Sequence, residues 1–170
     1  MIFVTVGTQL PFDRLVGAMD GWARQHPVEP VIAQVGSTRA RFPNLDARPW
    51  FSRRDHDRLL RDARVVVAHA GMGSVLTALG AGVPIAVMPR LARLGEHRDD
   101  HQLETARRLA ALRKLVVAWD ERELPDLIDA LLAGPGTPCE GTSGRSQFVA
   151  SFGAIVRCEL ALAGGAALLP

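Results

Sequence analysis

Short apolar runs alternate with segments of helical periodicity along most of the chain, and this alternation constrains the fold more than any other feature. Runs without polar interruption are typical of strands buried on both faces, as in a parallel sheet covered by helices. The chain is therefore predicted to form a doubly wound, Rossmann-like α/β domain. Six strands are predicted, at residues 2–6, 31–35, 47–51, 65–68, 84–88 and 115–118.

Composition narrows the classes of protein that this chain can represent. Its 170 residues, 48% of them hydrophobic, suit a single globular domain. A net charge of +2 is too small to predict a nucleic-acid partner, which would require a basic stripe and a recognisable motif. Two cysteines predict neither a disulfide framework nor a zinc site. A cytoplasmic location is expected, because the chain starts as a strand and has no membrane-spanning window.

The composition changes towards the C-terminus. Residues 1–133 are predicted to form the domain, residues 134–144 (GPGTPCEGTSG) a linker, and residues 145–170 a C-terminal helix and tail. We expect that helix to dock on a partner or to mediate self-association. Its apolar stripe consists of Phe148, Phe152, Ile155, Val156 and Leu160.

Two turns that follow predicted strands suit an anionic ligand. Gly7 and Thr8 follow the first strand, and residues 69–74 (HAGMGS) lie between the fourth strand and a helix. Glycines allow close approach, and free N–H groups at a helix start attract negative oxygens. His69 and Ser74 add side-chain donors. Such glycines and such a histidine are also common for structural reasons, so both interpretations stay open at this point.

A third polar segment follows the fifth strand and therefore opens onto the same edge of the sheet. A charged loop whose aspartate caps the next helix is the simpler interpretation. Combined with the two anion turns, the segment favours a ligand with both phosphates and hydroxyls, such as a nucleotide-sugar. Its polar residues are Glu96, His97, Asp99, Asp100, His101 and Gln102.

The order of these motifs resembles the nucleotide-sugar box of the two-domain (GT-B) glycosyltransferases: a strand, H-x-G-x-x-S, a helix, G-x-P, a strand and a later glutamine. Residues 1–133 resemble the C-terminal, donor-binding domain of glycosyltransferase family 28. IFVTVGTQLPFDRLV and HAGMGS are similar to the catalytic subunit of the two-subunit N-acetylglucosaminyltransferase of the dolichol pathway. MPRLARLGEHRDDHQ is similar to the small subunits of split bacterial exopolysaccharide glycosyltransferases.

The resemblance implies a UDP-sugar donor and a role for each matching position. The turns at Gly7 and at residues 69–74 would surround the diphosphate, Gln102 would hold sugar hydroxyls, and residues 50–52 would lie at the uracil site. The implied substrate-binding set is Gly7, Thr8, Phe51, Ser52, His69, Gly71, Met72, Gly73, Ser74, Glu96, His97, Asp100, His101 and Gln102.

Two positions depart from the family pattern. Thr77 stands where many relatives have a glutamate for the ribose, and His101 stands where an aspartate often precedes the final glutamine. Ribose and sugar contacts are therefore expected from Glu96, Asp99 or Asp100 instead.

Residues 55–57 (DHD) spell the D-x-D of metal-dependent glycosyltransferases. They are predicted to be a helix start, because the class resembled here steadies the departing diphosphate with a helix dipole. No metal and no other cofactor is expected.

The resemblance implies the donor-binding catalytic subunit of a two-component UDP-sugar hexosyltransferase that acts on a lipid-linked acceptor in polysaccharide biosynthesis. The acceptor site and the general base would then belong to a membrane-anchored partner subunit, which would hold this chain at the inner face of the plasma membrane. The alternative is a non-catalytic nucleotide-sugar-binding or regulatory module. An oxidoreductase is disfavoured, because G-x-G-x-x-G is absent after the first strand.

Overall fold

Each predicted apolar run contributes a strand to one parallel sheet. The computed structural model describes residues 1–111 and 115–134. Within them the strands pair in the order β3-β2-β1-β4-β5-β6, and every pairing is parallel. In chain order, β1 to β6 are Ile2–Thr5, Val31–Gln34, Asp46–Arg48, Val65–His69, Ile85–Met88 and Val116–Val117.

Helices connect the strands and cover both faces of the sheet. Alternate residues of β1 point to opposite faces: Ile2 and Val4 belong to one apolar cluster, and Phe3 belongs to the other. This two-sided burial explains the predominantly apolar runs and confirms the doubly wound α/β prediction. The helices α1 to α5 are Asp13–Gln25, Arg53–Asp62, Met72–Gly80, His101–Ala111 and Leu124–Ala133, with a short 3₁₀ turn at Ala92–Leu94.

The third strand differs most from its prediction. It covers Asp46–Arg48 rather than 47–51, and all three of its residues are exposed. β3 lies at the edge of the sheet with β2 as its one neighbour, so burial imposes no apolar pattern on it. The boundary could not be read from hydrophobicity for this reason.

The strand order reverses between β1 and β4. The chain moves from β1 towards β2 on one side and from β4 towards β5 on the other, so the loops after these two strands diverge. This divergence leaves a crevice at the carboxyl ends of the strands, which is where open α/β sheets bind ligands.

The predicted C-terminal helix at 145–170 and all of the predicted linker except Gly134 lie outside the described residues. Among the described helices, none is long and apolar enough to cross a membrane.

Candidate functional site

A cleft of about 420 Å³ lies at the carboxyl ends of β1, β4 and β5. One wall follows β1 and β4 and is built from glycines and small polar residues. We call it the glycine wall; it comprises residues 6–9 and 69–74. The opposite wall, residues 89–102, follows β5 and carries most of the charge, and we call it the charged wall.

The ring of His69 fills the space between two glycines of the glycine wall. A Cβ atom on Gly7 would lie 2.4 Å from His69 Nε2, and one on Gly71 would lie 2.0 Å from Cε1. Gly7 also has a positive φ of 75°, which favours glycine. The imidazole therefore sets the shape of both turns, and glycine at these two positions lets the backbone approach it.

His69 is neutral at neutral pH. Burial, reinforced by the nearby positive charge of Arg90, lowers its pKa to about 4, although Gln102 opposes the shift. Its Nδ1 is buried without a hydrogen-bond partner among the described residues. A neutral imidazole carries one N–H, so His69 can donate one hydrogen bond to a ligand oxygen without adding a charge.

The start of α3 faces the cleft with its backbone donors uncapped. Gly71 occupies the cap position, and within residues 1–111 and 115–134 no side-chain hydrogen bond caps this end of the helix. A Cβ atom on Gly73 would meet nothing within 4 Å, because this residue faces open space. One turn later, Thr77 Oγ1 donates to Gly73 O at 2.8 Å. The helix start therefore offers free N–H groups and a positive dipole end to an anion.

A buried polar network supports the first turn of this wall from below. Thr5 Oγ1 donates to Gln34 Oε1 at 2.8 Å, and Gln34 Nε2 donates to the carbonyls of Gly7 and Pro49. His56 Nε2 lies 3.3 Å from Thr5 Oγ1, and His56 also lines the cleft. The Gly7 turn is thus fixed by side chains from β1, β2 and α2.

Arg90 holds the β1–α1 loop to the charged wall. Its side chain is among the largest that are fully buried, and its guanidinium lies over the Phe12 ring at 4.6 Å. Burial lowers its pKa to about 10, so the group stays charged at neutral pH. We call this arrangement the arginine clamp. The guanidinium donates to four carbonyls: Val6 (2.7 Å), Leu10 (2.6 Å), Pro11 (2.8 Å) and Glu96 (3.0 Å).

A second arginine fixes the charged wall from the other side. Arg14 Nε and Nη2 donate to the two carboxylate oxygens of Glu96 at 2.7 and 2.9 Å, and Leu91 N donates to Glu96 Oε2. The pKa of Arg14 is raised by its hydrogen bond to Glu96. Glu96 therefore fixes the loop, and a contact of its carboxylate with ribose or sugar hydroxyls stays a prediction.

Two further residues of the charged wall have different roles. Asp100 Oδ1 accepts from Ala92 N at 2.9 Å, so this carboxylate also fixes the loop and does not line the cleft. Gln102 lines the cleft but is only 4% exposed, and its Oε1 accepts from Arg90 N at 3.4 Å.

The structure brings most of the predicted site residues to one cleft. The wall residues that were predicted are Gly7, Thr8, His69, Gly71, Gly73, Ser74, His97, His101 and Gln102, and sequence reasoning missed the lining residues Val6, Gln9 and Arg90. Thr77 and His56, which were considered for other reasons, line it too. The predicted residues that do not line the cleft are Phe51, Ser52, Met72, Glu96 and Asp100.

Three of the predicted residues that do not line the cleft lie in other local surroundings. Phe51 packs edge-to-face on Phe3, with ring centroids 6.0 Å apart, and Met72 is exposed. Ser52 caps α2 by accepting from Asp55 N at 3.1 Å. Asp55 lies in the first turn of α2, as the helix-start interpretation of the D-x-D predicts.

Residues 1–151 match the family described as Glycosyltransferase family 28 C-terminal domain. The chain belongs to this family. The family 28 domain of this chain also has the fold of one half of a GT-B glycosyltransferase, as comparison with solved structures shows. The six-stranded parallel sheet with its helices matches the Rossmann-like arrangement of such a half.

Three solved structures illustrate the fold match. The glycotransferase of kitacinnamycin is 16% identical, with a TM-score of 0.59, and the match covers 92% of this chain and 39% of that one. MurG of Acinetobacter baumannii is 18% identical, with a TM-score of 0.56 and coverages of 92% and 44%. The UDP-glucose: anthocyanidin 3-O-glucosyltransferase in complex with UDP is 16% identical, with a TM-score of 0.55 and coverages of 92% and 35%. The family 28 domain of this chain therefore spans less than half the length of each.

Proposed function

We propose that this chain is the donor-binding half of a glycosyltransferase that uses a UDP-sugar. The observation that carries the proposal is the uncapped start of α3, which faces a switch-point cleft in a family 28 domain. A nucleoside diphosphate presents the anionic oxygens that such a helix start attracts. The solved enzyme that holds UDP has the same fold, which supports the choice of uridine diphosphate.

In the proposed complex the diphosphate lies against the glycine wall. The free N–H groups at the start of α3 and the hydroxyl of Ser74 donate to its oxygens, and neutral His69 adds one ring N–H. When an acceptor hydroxyl attacks the anomeric carbon, the bond to the diphosphate breaks and negative charge collects on the departing UDP. A fixed helix dipole stabilises that charge without reorganisation, so it lowers the barrier.

The sugar lies at the charged wall in this proposal. Gln102 can donate and accept through its amide, which suits vicinal hydroxyls, and His101 lies beside it at the rim. Thr77, one turn into α3, also lines the cleft, and the ribose contacts expected from Glu96, Asp99 or Asp100 stay a prediction. The assignment of residues 50–52 to uracil stays a prediction.

We further propose that the acceptor half and the general base come from a membrane-anchored partner subunit. The support is the resemblance of IFVTVGTQLPFDRLV and HAGMGS to the catalytic subunit of the two-subunit dolichol-pathway enzyme, and of MPRLARLGEHRDDHQ to the small subunits of split exopolysaccharide enzymes. The acceptor would then be a lipid-linked glycan, and the chain would work at the cytoplasmic face of the membrane. Residues 145–170 are the proposed docking element.

Calorimetric titration with UDP tests the donor site. Gly73→Val places a branched side chain in the open space at the start of α3, so we expect at least tenfold weaker binding, about 1.4 kcal/mol. Gly80→Val is the matched control, because Gly80 lies on the same helix and its Cβ would also meet nothing within 4 Å. Equal UDP affinity for both folded variants would overturn the proposal. Turnover with a partner subunit then separates an enzyme from a binding module.

A further inference from the structure

Two histidines and an aspartate of the charged wall converge on one point. His97 Nδ1 lies 3.4 Å from Asp99 Oδ1, and His101 Nδ1 contacts the same oxygen. One ligand atom from each of the three residues lies within 4.8 Å of the other two. The proposed function gives these atoms no common role.

The His97 ring is held in place and is short of a partner. Its side chain is only 7% exposed, and it packs edge-on against the His101 ring with centroids 4.4 Å apart. Asp99 N points its hydrogen at His97 Nδ1 at 3.4 Å, so Nδ1 acts as the acceptor and Nε2 carries the proton in the neutral ring. Nε2 is buried without a hydrogen-bond partner in the described part of the chain.

This tautomer places two electron-rich atoms close to each other. His97 Nδ1 lies 3.4 Å from the carboxylate oxygen of Asp99, and its one lone pair accepts from Asp99 N, a hydrogen bond that a bound metal would replace. Two ligands of one tetrahedral zinc ion, each about 2.1 Å from the metal, are separated by about 3.4 Å. The His97–Asp99 pair therefore has the spacing of two ligands that share a cation, whereas His101 Nδ1 is in hydrogen-bond contact with Asp99 Oδ1 and would have to move away from it when a metal binds.

The loop that carries the three residues is fixed from both ends. Glu96, just before it, is held by Arg14 and by Leu91 N. Asp100, within it, accepts from Ala92 N at 2.9 Å. A preformed loop lowers the entropy that a metal must overcome to bind.

We propose that His97, Asp99 and His101 form a binding site for one divalent transition-metal ion, with Zn²⁺ preferred over Mg²⁺. Two imidazoles and one carboxylate are a donor set that zinc accepts, whereas magnesium prefers oxygen ligands throughout. Three protein ligands leave at least one coordination position open. Both histidines line the cleft, so an ion held here would lie beside a ligand bound there. The site shares His101 with the proposed sugar wall but does not require the donor assignment, and it differs from the D-x-D at the start of α2.

The test is a titration of the tag-free, full-length chain with Zn²⁺ after removal of metal by a chelator. Calorimetry should show one ion per chain, and Co²⁺ in its place should give visible absorption bands. His101→Gln and Asp99→Asn should each weaken Zn²⁺ binding at least tenfold. Both positions are more than half exposed, and asparagine keeps the helix cap, so the variants are expected to fold. Thermal unfolding checks that they do.

Two controls exclude other zinc ligands. His26→Gln removes a histidine that lies 3.5 Å from Asp129, away from the cleft, and should leave zinc affinity unchanged. The double variant Cys139→Ser, Cys158→Ser removes both thiols and should also bind one ion. Absence of saturable binding overturns the proposal, as does affinity that survives in His101→Gln and Asp99→Asn.

The same samples separate this site from the proposed function. UDP titration of the metal-free chain reports on the donor site alone, so zinc binding without UDP binding, or the reverse, identifies which of the two proposals fails. Gly73→Val should keep the zinc affinity of the wild type and lose affinity for UDP.

Discussion

The two walls of the cleft use their polar groups in opposite ways. On the glycine wall the backbone donors at the start of α3 are uncapped, and Gly73 faces open space. On the charged wall Glu96 is bonded to Arg14, and Arg90 is bonded to four carbonyls. The wall with little side-chain chemistry is therefore the one free to bind an anion, whereas most of the charge opposite it fixes the shape of the loops.

The largest expected effect comes from breaking the arginine clamp. Arg90→Met leaves carbonyls of the β1–α1 loop buried without a donor, so the free energy of unfolding should fall by about 3 kcal/mol or more. Chemical denaturation measures it. Arg93→Met is the control, because Arg93 is exposed on the same wall, and its effect should stay within about 0.5 kcal/mol. An equally small change in the free energy of unfolding for Arg90→Met would show that the Arg90 guanidinium does not stabilise the charged wall.

The pH dependence of stability tests the neutral His69 of the glycine wall. Its pKa is about 4 in the folded chain and near 6.5 in the unfolded chain, so only the unfolded state gains the proton between these values. Its contribution to stability is present above pH 6.5 and is lost as the pH falls towards 4, by at most about 3 kcal/mol. Denaturation of the wild type and of His69→Gln across this range measures the difference. Parallel curves would contradict the shifted pKa.

Two alanine substitutions compare the glycines of one turn. Gly71→Ala would drive its Cβ into the His69 ring and should destabilise the fold by about 1–3 kcal/mol. Gly73→Ala meets no neighbour and removes a poor helix former, so stability should stay level or rise by up to about 1 kcal/mol. Thermal unfolding of the two variants measures both changes in stability. Equal losses would mean that His69 does not set the shape of the turn.

The smallest expected effect on binding is that of Gln102, whose amide both supports the charged wall and is proposed to hold sugar hydroxyls. Gln102→Ala should weaken UDP-sugar binding by about 1 kcal/mol, as expected for a lost hydrogen bond, and leave UDP binding nearly unchanged. Parallel titrations with both ligands test this. Because Gln102 is also buried against Arg90 N, an equal loss for UDP and UDP-sugar would assign it to loop support instead.

The fold was predictable because its strands are buried on both faces. The run at 65–68 has no polar residue, the run at 2–6 has one, Thr5, and each became a central strand. β3 was misplaced because an edge strand with exposed residues carries no such pattern. Glycines and histidines at strand ends likewise predicted the cleft, since carboxyl ends of parallel strands meet at one edge.

The charged wall could not be assigned from local sequence. Glu96 was expected to contact the ligand, and nothing near it in the sequence indicates its ion-pair partner Arg14, which is 82 positions away. Arg90 was missed because its partners are backbone carbonyls, most of them about 80 positions away. Every residue has such a carbonyl, so the sequence does not indicate which of them bind an arginine. The sequence signal that could have identified Arg90 as a buried residue is its position directly after a buried strand and a proline.

The arginine clamp has a consequence for motion. The β1–α1 loop contains Gly7 and Pro11 and has the composition of a loop that opens and closes. If the loop moved away, the buried Arg90 guanidinium would lose three carbonyl partners at once. Opening the loop alone therefore costs free energy, and it must accompany wider unfolding at the end of β1. Backbone amides there should exchange slowly. A nucleotide would then meet a wall already in place, and diffusion rather than loop closure would set the rate at which it associates.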